Sequence, residues 1–485
     1  MTEEQARLPR IGRNTLFSAV SESSNLLLFV LGFLAARWLG PEEFGAYSAA
    51  LAFVGLFRLL PDFGMAYAST LEISRDSSLA RRLIAGLLGL QGVLSVVTVA
   101  ASALLGSLIF EGHVFTAVLL LSLDLVFKSL KATLRWLLKG LQRFGVEAVS
   151  LVLERGLLLV ICAAVLRTGL GLIGFVAAFT GVRVLDALGL FAYIHTRVLR
   201  LTPRLDRPLW GELFRKGLPF AYAGAAITLF SQVNQVLLEQ MRGASEAGYF
   251  AAPLRLVEGL TLVPRILSYA LIPTMAGLFP TEPGVVTRLY ARGVKYLLVL
   301  GLPLTVLGLL GSTPLMRLLF GAAYAASAPA SQLLLPAVAF MYLSNFGETT
   351  LACIGRWRSI VVIATVCLAV NLALNLLWIP SHGYVGAAWA QLVTEFAYFA
   401  LGAVALGLHG HSIRWLSVAT RPVAATGLAA LAFWLMRAQA FGTAAAAAAL
   451  VYVVALLVLG VFDRQEVALV RRLVRDPFGR DTDHS

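Results

Sequence analysis

The chain holds 485 residues, of which 59% are hydrophobic and only 13% charged. Soluble domains carry about 25% charged residues, so this composition excludes a soluble enzyme, a disordered tail protein and a coiled coil. The balance of 39 basic against 26 acidic residues leaves +13, but the basic residues fall in short loops between apolar runs, a pattern of membrane orientation rather than of nucleic-acid binding.

The apolar runs are continuous and about 20 residues long, which predicts membrane-crossing helices and excludes the alternating pattern of a β-barrel. The expected fold is all-α and polytopic, with about 14 transmembrane helices. In chain order the spans are expected at about 16–39, 44–68, 83–110, 114–138, 148–166, 170–196, 216–240, 248–279, 289–311, 329–353, 358–379, 383–408, 416–436 and 442–462. Connections are short, so function is expected within the bilayer or at its surface. The segment before span 1 shows no small-residue cleavage site, and span 1 reads as an uncleaved first crossing. Cys162, Cys353 and Cys367 lie in or beside apolar runs, an odd set that gives no disulfide framework and no metal spacing.

Lys and Arg set the orientation. They crowd the N-terminus, the loops after even-numbered spans and the tail, where Arg464, Arg471, Arg472, Arg475 and Arg480 lie. Opposite loops hold Arg167, Arg242, Arg317 and Arg437. Both termini are therefore expected in the cytoplasm, in a plasma (inner) membrane.

An internal repeat is visible. The joins LGPEEFGAYSAALAFV and MRGASEAGYFAAPLRLV align at an offset of 203 residues, which pairs Gly40 with Gly243, Glu43 with Glu246, Gly45 with Gly248 and Pro61 with Pro264. A second echo, KGLQRF against IGRWRS, pairs Gly140 with Gly355 and Arg143 with Arg358. The predicted domains are a six-helix bundle over 1–200, a second over 201–410, an extra helix pair over 411–462 and a basic tail over 463–485. Six spans per half give parallel repeats about the membrane normal, an arrangement in which transporters hold substrate between the halves.

Charges inside spans cost several kcal/mol, about 2.5 or more each, and mark cavities or partners. Span 4 places Asp124, Lys128, Lys131 and Arg135 on one helical face. That face reads as a cationic wall for an anion such as phosphate, or as a snorkelling surface. Arg58 and Asp62 flank Pro61 in span 2, and span 8 repeats the pattern with Arg255, Glu258, Pro264 and Arg265. Pro61 and Pro264 are candidate hinges or plain kinks. Span 5 adds Glu154 and Arg155. Arg183 and Asp186 in span 6, three residues apart, are expected to pair along their own helix. Asp62, Glu348 and Glu395 are candidate H⁺ or Na⁺ coupling sites, with a hydrogen-bonded structural carboxylate as the plainer alternative. Glu22 and Asn25 are weaker candidates of the same type. No Gly-rich phosphate loop and no histidine metal spacing is present, so no enzyme and no cofactor is expected.

The opening stretch resembles the polysaccharide-flippase (Wzx-type) family of the multidrug/oligosaccharidyl-lipid/polysaccharide exporter superfamily. The likeness rests on Asn14 and Thr15, on the turn Ala36, Arg37, Leu39, Gly40, Pro41, Glu42, Phe44, Gly45 and Tyr47, and on Asp62 and Gly64. It implies a V-shaped pair of six-helix bundles that alternate between openings on either side. It implies, as cargo, an oligosaccharide on polyprenyl pyrophosphate carried to the outer leaflet for cell-surface polysaccharide, with a polymerase or glycosyltransferases as neighbours. An anionic pyrophosphate matches the basic intramembrane excess, so Arg58, Lys128, Lys131, Arg155, Arg255 and Arg265 are the expected headgroup contacts. A lipid II flippase, a cation-coupled multidrug exporter and, less well, a membrane polysaccharide polymerase are the alternatives. The basic excess argues against the exporter, and short external loops argue against the polymerase.

Overall fold

The computed structural model describes residues 23–279 and 281–462. Asn14, Thr15, Glu22 and the basic tail lie outside them. The described residues form helices and no strand. They are α1 (Asn25–Leu56), α2 (Met65–Arg75), α3 (Ala80–Ile109), α4 (Gly112–Gly140), α5 (Phe144–Arg167), α6 (Gly171–Arg197), α7 (Arg207–Arg242), α8 (Ala244–Leu260), α9 (Leu262–Leu278), α10 (Pro283–Phe320), α11 (Ala328–Cys353), α12 (Trp357–Leu408), α13 (Trp415–Leu435) and α14 (Phe441–Val458). Among the described residues nine helices are long and apolar enough to cross a membrane. The all-α polytopic fold read from the sequence is the fold observed.

Two helices contain a sharp turn. In α1 the backbone leaves helical geometry at Gly40, and in α12 at Gly383. Each is therefore two helical arms, and the turns fall at the joins read from the sequence between spans 1 and 2 and between spans 11 and 12. Spans 2 and 8 are not continuous. The first stops at Leu56, turns through residues 57–64 and resumes as α2; the second stops at Leu260 and resumes as α9 after Thr261. Pro61 sits buried in the first turn, and Pro264 lies in the first turn of α9, where a missing N–H costs no intrahelical bond. The two breaks fall at repeat-related positions.

The repeat is also written in backbone angles. Gly40 has φ 76° and ψ 175°, and Gly243 has φ 89° and ψ 172°. That is a conformation only glycine adopts readily. The second echo needs a correction. Gln142 and Gly355 share positive φ, and Arg143 and Arg356 share the next conformation (φ −94° and −92°, ψ 54° and 50°). The structural partners are thus Gln142 with Gly355 and Arg143 with Arg356. Matching by residue type put the register two residues off, because the turn selects a backbone conformation and tolerates Gln or Gly there.

The chain divides into two units. The first comprises Met1–Gly259, Met316–Ala330 and Ala364–Ala390; the second comprises Leu260–Leu315, Ser331–Ile363 and Gln391–Ser485. Within the first unit α8 crosses the second arm of α1 at bare backbone. A β-carbon on Gly45 would stand 1.8 Å from the Ala244 carbonyl oxygen, and one on Gly248 would stand 1.8 Å from that of Pro41. Pro41 and Ala244 are themselves repeat partners, so the crossing is reciprocal. The neighbouring carboxylates obey the same symmetry. Glu43 lies against Gly171 at the start of α6. Glu246 lies against Gly383, and its Oε2 accepts the Tyr384 N–H at 3.0 Å. Each carboxylate faces the positive end of a helix. Glu246→Ala is expected to cost about 1 kcal/mol, typical of a lost helix cap, read as a lower unfolding temperature in detergent; an unchanged temperature contradicts the cap.

In the second unit the extra helix pair packs on α10. Tyr452 donates to the Val299 carbonyl at 2.7 Å, and Gly311 leaves room for the rings of Phe433 and Phe441. His411, in the loop after α12, is 4% exposed, with Nδ1 2.8 Å from Thr287 Oγ1. Burial, reinforced by His409, lowers its imidazole below the ordinary 6.5. The folded state therefore binds fewer protons there than the unfolded chain. The stability this neutral ring contributes is present in full above about pH 6.5 and is lost as pH falls below it. His411→Gln is expected to flatten the acid limb of Tm against pH; identical limbs in variant and wild type contradict the assignment.

Candidate functional site

The intramembrane charges of the first unit meet where α4, α5 and α6 face one another. α4 and α5 form an antiparallel hairpin around the turn at Leu141–Arg143. Residues equally far from that turn lie at similar depth, so the α4 cations meet the α5 carboxylates. Arg135 donates through Nε to Glu147 Oε1 at 2.8 Å, and Lys139 lies 3.7 Å from the same oxygen. One level deeper, Lys131 Nζ lies 2.6 Å from Glu154 Oε2 and also pairs with Asp186 of α6. Deeper again, Arg183 of α6 holds Asp124 Oδ2 at 2.8 Å through Nη1 and Glu154 Oε1 at 3.3 Å through Nε. The Arg183 guanidinium rests 4.3 Å from the centre of the Phe179 ring. Arg183 and Asp186 thus do not pair along their own helix as expected. In a low-dielectric interior each charge needs a full counter-charge at its own depth, and facing helices supply one at shorter range than an i+3 neighbour.

The network changes what the α4 face offers. Lys131 is 5% exposed and engaged by two carboxylates. Lys128, one turn nearer Asp124, is exposed and makes no hydrogen bond or ion pair among the described residues. Arg58, in the turn after α1, is likewise exposed and without an ion pair among them, and lies within electrostatic reach of Lys128. It does not pair with Asp62. That carboxylate instead accepts the Ala66 N–H at 2.9 Å and caps α2.

The other candidates are placed as follows. Arg155 is buried and donates to Ser24 Oγ at 2.6 Å. Arg255 pairs with Glu258 at 2.8 Å on its own helix, and its side chain passes the bare backbone of Gly32. The side chain of Arg265 lies outside the described residues. In the second unit Glu348 accepts the Tyr398 hydroxyl at 3.1 Å, and buried Glu395 accepts from Gln391 at 2.9 Å. Among the described residues no group of histidines, cysteines and carboxylates could hold a metal.

Sequence reasoning missed Tyr47 as more than a turn residue. It is buried against Phe175 and Phe179, within electrostatic reach of Arg255, Arg183 and Asp124. It also missed Glu147 as a counter-charge. The signal was present: Glu147 and Glu154 are one heptad apart, on one face of α5.

Residues 11–279 match the model of the polysaccharide biosynthesis protein family. The chain belongs to that family. A candidate O-antigen transporter of Shigella flexneri is 22% identical over 374 residues, covering 74% of this chain and 88% of that protein. An uncharacterized membrane protein of Methanocaldococcus jannaschii is 31% identical over 143 residues, a match that spans only 28% of either protein. The fold is similar to that of a lipid II flippase, MurJ, whose structure was solved in an inward closed conformation. The TM-score is 0.76 at 14% identity, over 95% of this chain and all of that one. The family read from the opening motif therefore holds, and the chain is a multi-pass membrane protein of polysaccharide biosynthesis.

Proposed function

We propose that this protein is a flippase for oligosaccharides carried on polyprenyl pyrophosphate. It takes them from the cytoplasmic to the outer leaflet by alternating access, for cell-surface polysaccharide. The observation that carries the reading is the pair Arg58 and Lys128. Their charges stand without ion partners among the described residues, beside a network whose other cations face carboxylates. Uncompensated cations at membrane depth are costly, and an anionic diphosphate that passes them supplies the missing charge. Arg255, with 26% of its side chain exposed, lies within electrostatic reach of Tyr47 and extends the proposed cationic path. Arg155 and Arg265 complete the proposed contacts. Lys131 serves the same path from behind, holding Glu154 and Asp186.

The distribution of loop arginines supports an inner-membrane location with both termini in the cytoplasm. Coupling to H⁺ or Na⁺ through Asp62, Glu348 or Glu395 belongs to the proposal. A polymerase or glycosyltransferases would act on the delivered chain. The likeness in fold to a lipid II flippase favours one second reading, in which the sugar is the cell-wall precursor.

The test is to deplete the protein in its source cells and identify lipid-linked sugars by mass spectrometry, with an external glycosidase reporting sidedness. A complete oligosaccharide pyrophosphate lipid trapped inside is the expected result. Trapped lipid II establishes the second reading, and no change in either lipid refutes both.

A further inference from the structure

We infer that Arg183 is a positioning residue for the anion site: it takes Asp124 away from Lys128 and so keeps the Lys128 charge open for a phosphate-bearing headgroup. The inference rests on the proposed headgroup reading. Asp124 and Lys128 are one turn apart on α4, the spacing at which opposite charges on a helix meet. Left to their own helix they would neutralise each other, and the site would lose its deepest α4 cation. Instead Asp124 Oδ2 accepts from Arg183 Nη1 at 2.8 Å, across from α6. The carboxylate is 3% exposed, and its Oδ1 has no hydrogen-bond partner among the described residues. Its buried charge thus relies on Arg183.

Three contacts fix the guanidinium for this task. Asp124 and Glu154 bind two of its nitrogens, and the Phe179 ring lies 4.3 Å from its centre. Glu154 has a second cation in Lys131, 2.6 Å from its Oε2. The loss of Arg183 therefore frees one carboxylate in particular, Asp124, for which the nearest cation on its own helix is Lys128. A residue that merely welded α4 to α6 would not make Lys128 depend on it.

The experiment uses the full chain in lipid nanodiscs, with undecaprenyl pyrophosphate as the probe and native mass spectrometry to read its binding. Lys128→Ala is expected to weaken the probe about tenfold. Arg183→Gln is expected to weaken it by a similar factor, because Asp124 now quenches Lys128. The double variant Arg183→Gln with Asp124→Asn is expected to return to within about threefold of wild type, since the quenching carboxylate is gone. Asp124→Asn alone, which leaves Arg183 on Glu154, is expected to bind at least as well as wild type and serves if Arg183→Gln does not fold. A double variant as weak as Arg183→Gln, or a large loss in Asp124→Asn, overturns the inference. Wild-type binding by Lys128→Ala refutes instead the headgroup reading beneath it.

Discussion

Alanine at Gly45 or at Gly248 is expected to cost about 3 kcal/mol or more, the upper range for overpacking, and to sharply reduce the amount of folded protein. Each added methyl would stand 1.8 Å from a backbone carbonyl oxygen, and in each case the next atoms met are backbone as well. A flexible side chain could swing away; two helical backbones can yield only if the whole crossing between α1 and α8 opens. The reciprocity of the contact gives both variants the same sign and a similar size. Gly181→Ala, in α6 with nothing within 4 Å of the added carbon, is the control. It is expected to be neutral or to gain up to about 1 kcal/mol from helix propensity. Thermal unfolding of the purified variants in detergent reads the comparison. A Gly45→Ala protein as stable as Gly181→Ala contradicts the backbone crossing.

Lys131→Ala is expected to be the most damaging substitution among the intramembrane cations, by about 3–5 kcal/mol, because it leaves Asp186 buried without its counter-ion and Glu154 with Arg183 alone. Both carboxylates meet that ammonium, whose side chain is 6% exposed, and only Glu154 has a second cation in Arg183. Removing the carboxylates together with the cation, as Lys131→Met with Glu154→Gln and Asp186→Asn, is expected to recover most of the loss, since no unpaired charge then remains. Lys128→Ala should leave stability within about 0.5 kcal/mol, as an exposed group with no ion pair among the described residues. Folded yield and unfolding temperature separate the cases. If Lys131→Ala is as stable as Lys128→Ala, the ion network does not hold the bundle.

The contrast between those two lysines marks how far the sequence could be read. Periodicity put Asp124, Lys128, Lys131 and Arg135 on one face of one helix, and that is where they lie. It could not say what stands opposite. Arg135 and Lys131 meet carboxylates of α5 and α6, so a wall that reads as four charges on paper offers one open cation. The Arg183–Asp186 spacing misled for the same reason: helical proximity is visible in sequence, while depth-matched partners on other helices become visible only when hairpins are folded on paper around their turns. The length and hydropathy of the spans were legible, because the bilayer imposes them. So was the repeat through Gly40, Gly45 and Glu43, where backbone demands restrict residue type. The breaks after Leu56 and Leu260 were less so, since an apolar run looks the same whether its helix is continuous or turned, and only Pro61 and Pro264 hinted at them.

These placements divide the labour among the buried charges. The α4–α5–α6 network holds the bundle, Glu43 and Glu246 seat two helix starts, and Arg58 and Lys128 stand without ion pairs among the described residues, the cations that the proposed function assigns to an anion. The most direct measurement is transbilayer movement of a polyprenyl-pyrophosphate-linked disaccharide in proteoliposomes of wild type and of the Arg58→Ala, Lys128→Ala double variant. The account predicts rapid movement with wild type and its loss in a double variant that unfolds at the wild-type temperature. Equal movement by both proteins, or none by either, would contradict it.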